Sequence, residues 1–138
     1  MPDGDGSEPI TGDELLYRRI PASQGWYDPQ FSKLNRLAFN PIKFDTTGLS
    51  LARGKYKSAE LIAVGQPGKQ YYLAELRAQD LYDNGINVVP NPLPGDPGHA
   101  EIPSMTYESR KSTEVLEAQI LLAEKLTLRV LGPFPEHV

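Results

Sequence analysis

Proline and glycine set the grain of this chain. Thirteen prolines and twelve glycines interrupt its 138 residues, most of them before residue 104. Each proline removes a backbone donor and fixes φ, and each glycine invites a turn, so only short strands and helices fit between them. The segment Pro90–Gly98 carries four prolines and two glycines and excludes regular structure. The hydrophobic share, 39%, is enough for one core at this length and not for two.

Between the interruptions, periodicity assigns the elements. Leu15 to Ile20 reads as a strand closed by Pro21, with Leu16, Arg18 and Ile20 on one face and Leu15, Tyr17 and Arg19 on the other. Residues 21–47 read as an irregular stretch whose aromatics (Trp26, Tyr27, Phe31, Phe39 and Phe44) are expected to pack on the core. Leu49–Ala52 is a short strand, and Ser58 caps a helix over about Ala59–Val64. Tyr71–Leu76 is a strand, Ala78–Asp83 a helix closed at Asn84-Gly85, and Ile86–Val89 a strand broken by Pro90. His99–Ile102 is a brief strand. The strongest helix runs from Thr113 to Lys125 behind Ser112, with Gln119 as the polar exception among its apolar positions, and a strand follows at Thr127–Leu131. The expectation is an α+β domain over residues 13–134, with a small mixed or split β-sheet and three short helices. Residues 1–12 are expected as a mobile acidic tail and 135–138 as a short C-terminal one.

Charge and composition narrow the function classes. A net charge of −4 speaks against general affinity for phosphate backbones, so nucleic acid is not the expected partner. The basic residues Arg36, Lys43, Arg53, Lys55 and Lys57 leave open either a solvated loop or a strip facing a nucleotide. With no cysteine there is neither a disulfide nor a thiolate nucleophile, which suits a cytoplasmic setting, and no apolar run approaches the length of a membrane helix. Two histidines cannot build a multi-histidine metal centre; Asp96, His99 and Glu101 offer a nitrogen and two oxygens, but no metal is expected. His99 either works with Glu101 in acid–base chemistry or ties down the proline-rich loop by hydrogen bonds. Arg18 and Arg19 each stand among apolar neighbours, which places a guanidinium at a sheet edge or in a pocket for an anion such as phosphate.

Four segments in order, Leu16-Tyr17-Arg18, Arg36-Leu37-Ala38-Phe39-Asn40-Pro41, Gly48-Leu49-Ser50-Leu51-Ala52 and Ser58-Ala59-Glu60-Leu61, resemble the pattern of RES-domain proteins. These are NAD-consuming toxins with an ADP-ribosyltransferase-like fold. The resemblance implies that Arg18 holds the pyrophosphate or ribose, Ser50 orients the nicotinamide end and Glu60 faces the ribose, with Glu75 an equal candidate for the acid. It further implies Tyr17 and Phe39 as a stacking wall beside Asn40, and NAD as the substrate. Two functions follow as expectations. One is an interaction or effector-complex component with this fold, weakly active or inactive, that meets a protein partner through its aromatic loop. The other is an NAD-consuming enzyme that cleaves the nicotinamide–ribose bond.

Overall fold

The alternation read in the first strand organises the molecule. In the computed structural model, which describes residues 5–134, β1 spans Leu15–Pro21 and buries Leu16 and Ile20 completely while Tyr17 and Arg19 face the other side. The later strands are β4 (Leu49–Arg53), β5 (Tyr71–Arg77), β6 (Val89–Pro90), β7 (His99–Ile102) and β8 (Arg129–Leu131). With β1 they form one sheet in the order β6–β7–β4–β1–β5–β8, and every ladder in it is antiparallel. A separate hairpin joins β2 (Tyr27–Asp28) to β3 (Lys33–Leu34). Three α-helices complete an α+β architecture.

Capping chemistry fixes the helices. α1 (Ala59–Ile62) begins where the Ser58 hydroxyl accepts from the Leu61 amide, and α3 (Thr113–Leu121) where the Ser112 hydroxyl accepts from the Val115 amide. α2 (Ala78–Asp83) ends through Asn84, after which Gly85 takes φ of +74°. α3 does not continue regularly to Lys125: it widens into a π turn at Leu122–Leu126 that buries Leu122, Ala123 and Leu126. Gln119, the polar exception, points inward and is fully buried. Its amide accepts from Arg36 (2.9 Å) and donates to the Phe39 carbonyl (3.3 Å) and Asn40 Oδ1 (3.0 Å), so its burial leaves no polar atom unpaired.

The main core lies on the Leu16 face of the sheet. Leu49, Leu51, Leu76, Ala100 and Ile102 meet Phe39 from the 3₁₀ turn Arg36–Phe39, and Val115 and Leu122 from the α3 region. Burying Phe39 alone contributes roughly 1.5–3 kcal/mol. On the opposite face a smaller cluster forms around Ile62, Ala63 and Leu73, with Tyr17 and Ala52 against it.

Four expectations need correction. Residues 5–12 are packed rather than loose: Ile10 enters the main core, and the Gly6 and Glu8 carbonyls accept from Arg53. Residues 1–4 and 135–138 lie outside the described residues. The aromatic loop packs only in part, since Phe39 is buried and Tyr27 meets Tyr72 edge-on at 4.9 Å, whereas Phe31 and Phe44 are 71% and 78% exposed. The basic residues do not form a strip: Arg53 is buried against Glu14, Lys55 pairs with Glu8 and Lys57 with Asp96. The strand expected at Ile86–Val89 pairs only at Val89–Pro90, and a proline is tolerated there because β6 is the sheet's outer strand. Among the described residues no helix is long and apolar enough to cross a membrane.

Candidate functional site

The sheet splits between β1 and β4. β1 pairs with β5 along its whole length, from Leu15↔Arg77 to Pro21↔Tyr71. Toward β4 the ladder holds only Leu16↔Arg53 and Tyr17↔Ala52, although both strands continue. Arg18 fills the interruption on the core side, where its Nε donates to the Ala38 carbonyl (3.1 Å), Nη1 to the Ser50 carbonyl (3.0 Å) and Nη2 to the Asn40 carbonyl (3.2 Å). Burial lowers the guanidinium from its ordinary value while the Asp45 carboxylate opposes that shift. The result is a clamp that joins β1, β4 and the 36–40 turn through three main-chain carbonyls.

On the other side of the split lies a cleft of about 100 Å³. Tyr17 and Arg19 line it from β1, Ser50 and Ala52 from β4, and His99 from β7. Leu61, Ile62 and Val64 supply its apolar wall, and the Arg19 guanidinium donates to the Val64 carbonyl. Lys57 and Asp96 also line it and face one another at 3.4 Å. The space suits one phosphate group or one ring and falls below the roughly 300 Å³ at which sites for drug-sized ligands begin.

Ser50 sits at the meeting point of several elements. Its Oγ lies 2.9 Å from Asp45 Oδ1 and 3.2 Å from His99 Nε2, and its amide donates to the same Asp45 oxygen at 3.3 Å. The other histidine nitrogen, Nδ1, stands 2.8 Å from the Asn91 carbonyl. A carbonyl only accepts, so Nδ1 carries the proton and Nε2 of the neutral ring is left as an acceptor toward Ser50. Glu101 stands opposite Ser50 in the β4–β7 ladder, and its Oε2 accepts from Thr47 Oγ1 (2.8 Å) and Asn91 Nδ2 (3.1 Å). Asn91, in the proline-rich loop, thereby holds His99 through its main-chain carbonyl and Glu101 through its side-chain amide.

Tyr17 forms the other end of the site. Its hydroxyl donates to Glu75 Oε2 at 2.8 Å, and Arg129 meets the same carboxylate from β8 at 3.0 Å. Burial first, and then the bond to Glu75, push the phenol up to about 12. Burial pushes the Glu75 carboxyl up, but the bonds from Arg129 and Tyr17 prevail and hold it below its usual value. The Tyr17 ring lies so near Gly54 that a Cβ there would stand 2.7 Å from Cε2, a contact only glycine permits. A second hollow of about 370 Å³, lined by Thr11, Asp13, Leu15 and Lys55, shares Tyr17 with the first.

The residues singled out from the sequence thus separate into three groups. Tyr17, Arg18 and Ser50 line the cleft, although Arg18 directs its guanidinium toward carbonyls on the core side. Phe39 is fully buried, and Asn40 is held by Gln119 and Arg18, so neither faces the opening. Glu60 is exposed in the first turn of α1, apart from the cleft, and Glu75 lies behind Tyr17. Arg19, Lys57 and Asp96 entered the sequence reading in other settings (an anion pocket, a basic strip and a metal-ligand set), and Asp45 did not enter it as a candidate. Strand alternation already set Arg19 beside Tyr17, but nothing local in the sequence marks Asp45 as the partner of Ser50. Among the described residues no group of three or more His, Asp or Glu side chains is placed to hold a metal ion. No family model, curated protein or solved structure matches this chain.

Proposed function

We propose that this chain is a nucleotide-binding component of a bacterial-type effector or toxin–immunity complex, built on an ADP-ribosyltransferase-like split sheet. The observation that carries the reading is the interrupted β1–β4 ladder, with a cleft on one side and the Arg18 clamp on the other. Arg19 and Lys57 supply positive charge for a phosphate of an NAD-class ligand, and the Ser50 hydroxyl lies within the same cleft. A cleft of about 100 Å³ takes one phosphate or one ring. The remainder of the ligand then runs past Tyr17 into the neighbouring hollow beside Thr11 and Lys55. A protein partner fits the exposed Phe31 and Phe44 of the aromatic loop, and the cysteine-free composition fits the cytoplasm.

Binding without efficient turnover is the primary reading, because Glu60 lies outside the cleft. The second reading, cleavage of the nicotinamide–ribose bond through an oxocarbenium-like state, is favoured by one observation: Glu101 stands opposite Ser50 and brings a carboxylate to the row that holds the hydroxyl. Titration calorimetry with NAD tests the binding. Arg19→Ala is expected to weaken the affinity about 10-fold or more, the loss of one charge-assisted hydrogen bond. Absence of heat at millimolar NAD overturns the reading, and release of nicotinamide by the wild-type chain selects the enzymatic alternative.

A further inference from the structure

Ser50 and His99 stand in a relation that nucleotide binding does not require. A hydroxyl lies 3.2 Å from an imidazole nitrogen, and the far nitrogen of that ring is fixed at 2.8 Å by a main-chain carbonyl. The carbonyl of Asn91 sets the tautomer, so the nitrogen that faces Ser50 is the basic one. Both side chains are partly exposed and line the same cleft. The hydroxyl has one proton and two acceptors, Asp45 Oδ1 at 2.9 Å and His99 Nε2. Rotation about the Cβ–Oγ bond passes that proton from one to the other without moving a heavy atom. Nucleophile, base and an orienting group are therefore present in one opening.

We propose that Ser50 is a covalent nucleophile, with His99 as its base, that accepts a small acyl group from an ester with an anionic leaving group. In the first step Ser50 Oγ forms a bond to the acyl carbon while its proton passes to His99 Nε2. The tetrahedral species collapses and the bond to the leaving oxygen breaks. That oxygen either takes the proton from His99 or departs as the anion while His99 gives its proton to solvent water, so the imidazole is neutral again before the second step. Water then attacks the acyl-serine, His99 accepts a proton from it, and Oγ leaves and recovers a proton from the imidazolium. Arg19, which donates to the Val64 carbonyl, and Lys57, which faces Asp96, line the same cleft and are the cations in it toward which an anionic leaving group would be drawn. The volume of about 100 Å³ restricts the acyl group to a few heavy atoms. This inference goes beyond the nucleotide reading and does not depend on it.

The test uses the whole chain without NAD. It is incubated with diisopropyl fluorophosphate and followed by intact mass and peptide mapping, and separately with p-nitrophenyl acetate, followed by p-nitrophenolate absorbance. The expected result is a single adduct on Ser50, absent in Ser50→Ala, and a labelling rate that falls about 100-fold or more in His99→Gln, the usual contribution of a general base. Thermal melting checks that each variant is folded. Should Ser50→Ala fail to fold, Ser50→Cys introduces a thiol into a chain that has no other cysteine. Iodoacetamide then alkylates that thiol faster with His99 in place than in the His99→Gln background. An adduct elsewhere, no adduct, or equal rates with and without His99 overturns the proposal. A chain that is labelled but gives no heat with NAD overturns only the nucleotide reading, and one that binds NAD but resists labelling overturns only this one.

Discussion

The Arg53 guanidinium and the Glu14 carboxylate are joined by two parallel bonds, Nε to Oε1 at 2.9 Å and Nη2 to Oε2 at 2.8 Å. Arg53 has no exposed surface, and its remaining terminal nitrogen donates at 3.1 Å to the carbonyls of both Gly6 and Glu8. One side chain from the end of β4 therefore fastens the stretch 6–14 ahead of β1 at three points. Gly6 itself fits only as glycine, since a Cβ there would stand 1.9 Å from the Pro97 carbonyl oxygen.

Removing one partner of this pair strands the other. Arg53→Met is expected to destabilise the chain by about 3 kcal/mol, because the Glu14 carboxylate loses both guanidinium bonds and keeps only the Thr11 amide and Lys55, 3.8 Å away. Arg53→Met combined with Glu14→Gln is expected to recover part of that loss, since no uncompensated charge remains. Urea unfolding of the two variants and the parent measures both steps; equal stability of parent and Arg53→Met would show the pair to be dispensable.

Acid is expected to release the N-terminal segment ahead of the core. The Tyr56 hydroxyl, chiefly, with Lys55 and Arg53 behind it, holds the Glu8 carboxyl at about 2, below its ordinary 4.5. A folded-state value below the unfolded one means that the stabilisation is complete above about 4.5 and disappears as the pH falls toward about 2. Protection of the Ser7 and Thr11 amides, taken against the intrinsic exchange rate at each pH, should fall over that window before protection in β5 does, and Glu8→Gln should remove that trend. Simultaneous release of β5 would contradict this order.

Arg18→Lys separates a clamp from a ligand-binding group. Lysine keeps the charge but loses the planar fork that reaches three carbonyls, so about 2 kcal/mol of stability should be lost, with amide shifts at Ala38, Asn40 and Ser50. If the substitution leaves the urea midpoint in place and weakens NAD binding instead, Arg18 serves the ligand and not the fold.

Local chemistry made much of the secondary structure legible. The Ser58 and Ser112 caps, the Asn84-Gly85 stop and the apolar alternation of β1 and β4 are decided within a few residues. What escaped is decided at a distance. Arg53 read as part of a basic strip because its partner Glu14 is 39 positions away. Residues 5–12 looked loose by composition, and the partners of their backbone are remote in sequence: Arg53 at Gly6 and Glu8, the Tyr82 hydroxyl at Ile10 and the Gln79 amide at Gly12. Gln119 looked like an interruption of an apolar face, whereas the carbonyl and amide groups it meets belong to the 36–40 turn. At the cleft, Tyr17 and Ser50 entered as candidates through the resemblance of short segments, while the direction of Arg18 depends on three carbonyls from two other segments.

The placing of Pro90 has a consequence for assembly. The two-residue margin strand that bears it lacks one amide hydrogen, and the far margin, Arg129–Leu131, is three residues long and soon followed by Pro133. Neither border offers an incoming chain a continuous row of donors and acceptors, so docking by added strands is disfavoured on both flanks. Under the proposed reading, a protein partner is then met by projecting side chains, and its specificity is expected to change with point substitutions at exposed residues such as Phe31 and Phe44 rather than with backbone register.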